Sequence, residues 1–181
     1  MRTVNMRRAI AASLAVVMFL TALPANAKCK FNVDTVHSRT GEKVLWTKWN
    51  TFTLMIKGKI LVGSGLSIGD KQYFALRFDR YVSGTKAERD TALVIPANGK
   101  LLIKLDDQSI LELHTDEEFI GDVAGGQAEI VARYVLDASS LNALLKKRIM
   151  NIRIQTTGAD EDFAFGKRGA KKMQKTLECI K

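Results

Sequence analysis

The sequence predicts an α+β fold: a mainly antiparallel β-sheet of about eight or nine strands, with two helices in the C-terminal third. Three observations predict it. Residues 91–115 read TALVIPANGKLLIKLDDQSILELHT, three short apolar runs separated by turn residues, which is the pattern of a β-meander. Residues 30–82 carry further short runs of period two. Only late in the chain do apolar residues fall at helical spacing.

Taken in order, residues 30–37 alternate loosely as a first strand, turned at Ser38-Arg39-Thr40-Gly41, and residues 43–49 return as a second. Trp46 and Trp49 are an odd number of positions apart, so a regular strand would point them to opposite faces and leave one partly exposed. Phe52, Leu54 and Ile56 share one face of a third strand, and Gly58 turns the chain into Ile60-Leu61-Val62. Residues 63–71 read as a polar loop. Residues 72–82 form a long strand with Phe74, Leu76 and Phe78 inward and Tyr73, Arg77, Asp79 and Tyr81 on the other side. Residues 83–90 are a second polar loop.

In the meander, Pro96, Asn98 and Gly99 make the first turn, where Asn-Gly tolerates positive φ, and Asp106-Asp107-Gln108-Ser109 makes the next. Leu101, Ile103 and Leu105 face the core opposite Lys100 and Lys104, while Leu111 and Leu113 oppose Glu112 and His114. An irregular stretch follows over residues 116–126, then a strand over 128–135. Asp137 or Ser139 caps a short helix whose apolar face is Leu141, Leu144 and Leu145, with Lys146, Lys147 and Arg148 at the end where the dipole favours cations. Met150, Ile152 and Ile154 alternate with Asn151, Arg153 and Gln155, and a loop over 158–162 leads into the last helix. There Ala170, Met173, Leu177 and Ile180 form the buried stripe.

The compartment is written at the N-terminus. Arg2, Arg7 and Arg8 precede an uncharged apolar run over residues 9–23 and the small-residue site Ala25-Asn26-Ala27. This is the pattern of a secretory signal peptide, residues 1–27, with cleavage before Lys28 and a single secreted domain over residues 28–181. The run is shorter than the ~20 apolar residues a spanning helix needs. Lys28 before Cys29 does not suit lipoprotein processing. A periplasmic or secreted location is therefore expected.

The formal charge of +9 falls to +6 once the three leader arginines are removed. That excess favours acidic partners such as envelope phosphates, anionic glycans or acidic proteins. Nucleic acid is not expected, because the chain carries no recognised binding motif or aromatic-rich basic strand. Two cysteines, Cys29 and Cys179, in an oxidising compartment predict one disulfide that staples the first strand to the last helix. In the chain-entropy model such a long loop is worth about 4–5 kcal/mol.

Few residues carry a chemical signature. Gly65-Leu66-Ser67-Ile68-Gly69 matches the GxSxG nucleophile elbow, which needs a helix after the serine; here period-two residues follow, and only His114 comes later as a base. His37 and His114 end strands and have no neighbouring histidine to complete a metal site, even with Asp116, Glu117 and Glu118 near His114. Asp160-Glu161-Asp162 lacks the ligand spacing of a calcium loop and reads as solvated. No catalytic set, metal site or cofactor is expected. The basic face of the last helix, Lys167, Arg168, Lys171, Lys172 and Lys175, reads either as a solvated face or as a contact for anionic lipid headgroups or an acidic partner. Lys100, Lys104, Arg133 and Arg153 are placed together on the open sheet face as further candidate contacts.

Cys29, the Thr40-Gly41 turn, Thr47-Lys48-Trp49, the GKLLIKLDDQSILEL meander, the IRIQT strand and the KKMQKTLECI tail together resemble uncharacterised small secreted bacterial proteins. The resemblance implies a structural pattern without an assigned active site. The expectation is a non-enzymatic envelope binding or interaction protein. The alternatives are an inhibitor of an exported enzyme, using loops 63–71 or 83–90, and a small serine hydrolase using Ser67 and His114.

Overall fold

The short alternating runs become strands in the computed structural model, which describes residues 29–56, 59–81, 93–124 and 127–181. The expected leader, Gly58, the loop 83–90 and Gly125-Gly126 lie outside the described residues. The fold is α+β and mainly antiparallel; the described residues form two helices, and their strands are distributed over three sheets.

The largest sheet contains β1 (Phe31–Val36), β2 (Lys43–Thr47), β3 (Asn50–Ile56), β4 (Lys59–Ile68), β5 (Lys71–Tyr81), β10 (Asp122–Ala124) and β11 (Gln127–Leu136). Its order is β1-β2-β4-β5-β11-β10, with β3 also paired to β4. Strands β2 and β3 lie end to end along one edge of β4, opposite residues 66–68 and 59–63 respectively. The chain bends between them at Lys48-Trp49. A four-stranded sheet runs β13 (Glu161–Ala164), β12 (Ile149–Ile154), β7 (Lys100–Leu105) and β8 (Ile110–His114). Strands β6 (Val94–Ile95) and β9 (Phe119–Ile120) pair as a third, minimal sheet.

One core fills the space between these elements. Leu61, Phe74, Leu76, Phe78, Ile130, Ala132 and Tyr134 supply it from the large sheet; Leu101, Ile103, Leu105, Ile152 and Ile154 supply it from the small one. Phe78 meets Phe163 with ring centroids 5.5 Å apart, and Phe52 meets Phe165 at 6.0 Å. Each large apolar side chain so enclosed contributes about 1.5–3 kcal/mol. Helix α1 (Ala138–Lys146) inserts Leu141 and Leu144, and helix α2 (Lys167–Glu178) inserts Ala170, Met173 and Leu177. Gly169 lets α2 lie against β3, since a Cβ there would collide with the Phe52 carbonyl oxygen. Asp137 is the α1 cap: its carboxylate accepts from the Ser140 backbone N–H at 2.6 Å, which holds its pKa below the ordinary value.

Several local expectations are corrected. The first meander run, β6, pairs with β9 and not with β7. The Asn98 turn, at φ 59°, instead lays Gly99 against Thr115 at the end of β8. Residues 116–126 are not wholly irregular, because β9 and β10 form there. Residues 63–68 are strand and not loop, so only the tight turn at Gly69-Asp70 joins β4 to β5. Trp46 and Trp49 do not point apart: the bend after Thr47 brings their rings edge to face at 5.8 Å.

Tyr73, expected on the open side, is 4% exposed. Its hydroxyl donates to Asp116 at 3.1 Å while the Arg133 guanidinium lies 5.4 Å from its ring centre. Burial, with Asp116 adding to it, raises the Tyr73 pKa. A bulge between Ile149 and Asn151 shifts the strand parity, so Ile149 points inward and Met150 outward. Glu161 does not sit in a solvated loop; it begins β13, is 3% exposed and pairs with Arg80 at 3.0 Å.

Candidate functional site

The disulfide forms as expected, Cys29 to Cys179, with 5.7 Å between Cα atoms. It carries residue 30 to the end of α2. The Lys48 backbone N–H donates to the Lys30 carbonyl at 2.8 Å, which fixes the segment after Cys29 beside the β2–β3 bend. Between that bend and α2 lies a groove of about 430 Å³. Lys30, Lys48, Lys172 and Lys175 line it, with Trp49 and the disulfide as further walls.

Its floor is polar. Asn50 Nδ2 donates to the Lys48 carbonyl at 3.0 Å and to Thr176 Oγ1 at 3.1 Å, and Thr176 Oγ1 donates to the Lys172 carbonyl at 2.9 Å. Both amide protons of Asn50 are thereby used, and its Oδ1 has no donor among the described residues. Thr47 Oγ1 accepts from the Gly65 backbone N–H at 2.9 Å. Trp49 is held from behind by Trp46 and by Arg77, whose guanidinium lies 5.6 Å from the Trp49 ring centre. Trp46 is anchored in turn by its indole N–H to Ser64 Oγ at 2.8 Å.

A second groove of about 420 Å³ lies between β3 and the start of α2, shares Lys172 with the first, and includes Arg168, Thr51 and Thr53. Arg168, Lys172 and Lys175 stand at i, i+4 and i+7, one edge of the helix. Lys167 and Lys171 do not line either groove. They occupy the other edge, where Gln174 donates to the carbonyls of Leu145, in α1, and of Lys147, just after it, at 3.3 and 3.0 Å. The five cations expected as one patch therefore divide into three that face the grooves and two that do not. All five are exposed, and none has an ion-pair partner among the described residues.

The start of α2 has no side-chain cap and no acidic residue in its first turn. Lys167 and Arg168 thus sit where the helix dipole opposes positive charge, an arrangement worth roughly 0.3–1 kcal/mol per cation in the unfavourable direction. An anion beside Arg168 would relieve it.

Most of the other cations marked in the sequence behave differently. Lys100, Lys104 and Arg153 do share the outer face of the four-stranded sheet, where Lys104 and Arg153 line a depression of about 170 Å³; Lys104 has no ion-pair partner among the described residues. Lys100 is paired with Glu112 at 2.8 Å and lowers that carboxyl's pKa. Arg153 makes a two-pronged pair with Asp162, both contacts 2.9 Å, which raises its own pKa. Arg133 is not on that face. It lies on the outer face of the large sheet, 2.7 Å from Glu117 and 3.6 Å from Asp116.

Ser67 lies within β4, and its hydroxyl donates to the Gly69 carbonyl at 3.4 Å. A hairpin and not a helix follows it. His114 belongs to the other sheet, beside Glu112 at 3.2 Å and the Asn98 carbonyl at 3.3 Å. His37 meets the Thr40 backbone N–H and hydroxyl at 3.2 and 3.1 Å. Among the described residues no three His, Cys, Asp or Glu side chains converge in a way that could hold a metal. No described helix is long and apolar enough to cross a membrane.

Sequence reasoning missed Lys30, Lys48 and Asn50. The signal for Lys30 was present, because a Cys29–Cys179 bridge necessarily brings residue 30 near residue 175. Lys48 and Asn50 depend on the bend that breaks the second strand. Comparison with protein-family models, curated proteins and solved structures finds no match for this chain.

Proposed function

We propose that this chain is an exported, non-enzymatic binding protein whose ligand is anionic and enters the groove of Lys30, Lys48, Lys172 and Lys175. The carrying observation is that four lysines line one groove with no carboxylate among the described residues to neutralise them. Four like charges gathered in a concave, low-dielectric wall raise the local potential and concentrate counter-ions there. Export is supported by the basic-apolar-small leader pattern and by a disulfide that suits an oxidising compartment.

The test is a titration of the mature protein with pyrophosphate at low salt, followed by amide chemical shifts. The expected movements centre on residues 30, 48, 172 and 175. They should vanish in Lys172→Ala/Lys175→Ala and persist in Lys171→Ala, which removes the same type of charge from the far edge of the helix. Because Lys172 and Lys175 have no ion-pair partner among the described residues, the double variant should unfold at the same urea concentration as the parent. Shifts elsewhere, or shifts indifferent to the double substitution, would overturn the proposal.

A further inference from the structure

We infer that the anion is a linear acidic polysaccharide lying along both grooves, from Lys30 and Lys175 past Lys172 to Arg168. This rests on the reading of the groove as an anion site and names the class of ligand.

Length is the first argument. Arg168 and Lys175 are seven residues apart on one helix edge, about 10 Å at 1.5 Å per residue, and Lys172 stands between them. Lys172 also lines both grooves, so an extended ligand that meets Lys172 has a groove on either side of it, with Lys30 and Lys175 lining one and Arg168 the other. A single phosphate or carboxylate occupies only one of them. A polymer with repeated anions meets both.

Chemistry is the second argument. Lysines call for anions, but the floor also offers an acceptor, Asn50 Oδ1, whose own amide protons are committed to Lys48 and Thr176. A bare polyphosphate has only acceptors to set against it, whereas a sugar hydroxyl donates. Trp49, braced by Trp46 and Arg77, provides an apolar wall in a groove that is otherwise cationic and polar. The carbon face of a pyranose ring fits that wall. Anions, hydroxyls and apolar ring faces occur together in an acidic glycan.

A lipid surface fits less well. A helix that lies in a bilayer needs a free apolar face, and the apolar stripe of α2, Ala170, Met173 and Leu177, is wholly enclosed in the core. Among the described residues, the exposed large apolar side chains Val36, Ile110, Ile120, Val131, Val135 and Met150 line neither groove.

The experiment compares heparin-derived di-, tetra- and hexasaccharides by calorimetry, with pyrophosphate and phosphatidylglycerol vesicles as further probes. Affinity should rise at least ten-fold from disaccharide to hexasaccharide. Arg168→Ala should remove that gain, and Lys171→Ala should not. In Trp46→Phe, where Trp49 is the remaining tryptophan, the hexasaccharide should quench or shift the fluorescence. Equal affinity for all lengths, a length gain that survives Arg168→Ala, or preference for vesicles would overturn the inference. If pyrophosphate still binds at Lys172 and Lys175 in any of those cases, the anion groove stands without the glycan. If pyrophosphate does not bind either, both readings fall.

Discussion

Two basic surfaces of this protein carry similar residues and have opposite character. On the outer face of the four-stranded sheet, Lys100 and Arg153 each have a carboxylate within 3 Å, and at the adjoining corner Lys147 reaches Asp107 at 2.6 Å. Beside α2, Lys30, Lys48, Arg168, Lys172 and Lys175 have no such partners among the described residues. The first surface is largely self-neutralised, with Lys104 alone of its three cations lacking a carboxylate partner among the described residues, and its paired charges fix registers and turns. The second carries cations without such partners, which is the feature the proposed anion site rests on. The number of lysines and arginines therefore does not distinguish a site from a solvated face; the whereabouts of the acids does.

The largest test of this contrast is the disulfide, because only the second surface depends on it. Cys29→Ser/Cys179→Ser should lower stability by about 4–5 kcal/mol in urea unfolding, the chain-entropy value for closing so long a loop. Under conditions where the variant remains folded, pyrophosphate affinity should also fall several-fold, since Lys30 is no longer held against Lys175. Unchanged unfolding midpoints would show that packing of α2 alone fixes that wall.

A second test asks whether pairing on the other side of the molecule is structural. Arg80 on β5 and Glu161 on β13 join the two main sheets, and Glu161 is 3% exposed. Arg80→Met takes one charged partner away from the buried Glu161 carboxylate and should cost about 1.5–3 kcal/mol. Anion affinity of the folded variant should be unaltered, because neither groove includes Arg80. A variant as stable as the parent would place Arg80 among the ordinary surface pairs.

Much of this contrast was legible in the sequence, though not where it matters most. The alternation around Leu101, Ile103 and Leu105 identified both faces of β7, and helical spacing identified the buried stripe of α2, because period and burial are tied together in regular elements. Parity failed where the backbone departs from regularity. The bend at Lys48-Trp49 brought two tryptophans together, and the bulge near Met150 exchanged inside for outside. Pairing was illegible for a different reason. Arg153 and Asp162 are neighbours only through the β12–β13 register, and Arg80 and Glu161 only through the stacking of two sheets. Whether a cation is neutralised is a property of tertiary structure, so the basic patches could be listed from the sequence but not sorted.

The finest test reads neutralisation directly at one carboxyl. Lys147 and Ser109 both donate to Asp107, Lys147 through Nζ at 2.6 Å and Ser109 through its hydroxyl at 2.5 Å and its backbone N–H at 3.1 Å. These contacts, Lys147 first, hold the Asp107 pKa at about 2, below the ordinary 3.8. Its depressed folded-state value means that its stabilising contribution is complete above about pH 4 and disappears as the pH falls through 2. A carboxyl NMR titration should therefore place its midpoint near 2, and Lys147→Ala should move it back toward the ordinary value. Adding salt should raise it only partly, since Ser109 remains in place when the ion pair is screened. If the parent titrates like a free aspartate, the Lys147 contact is not maintained in solution, and the division between a neutralised surface and an open one loses this corner of its support.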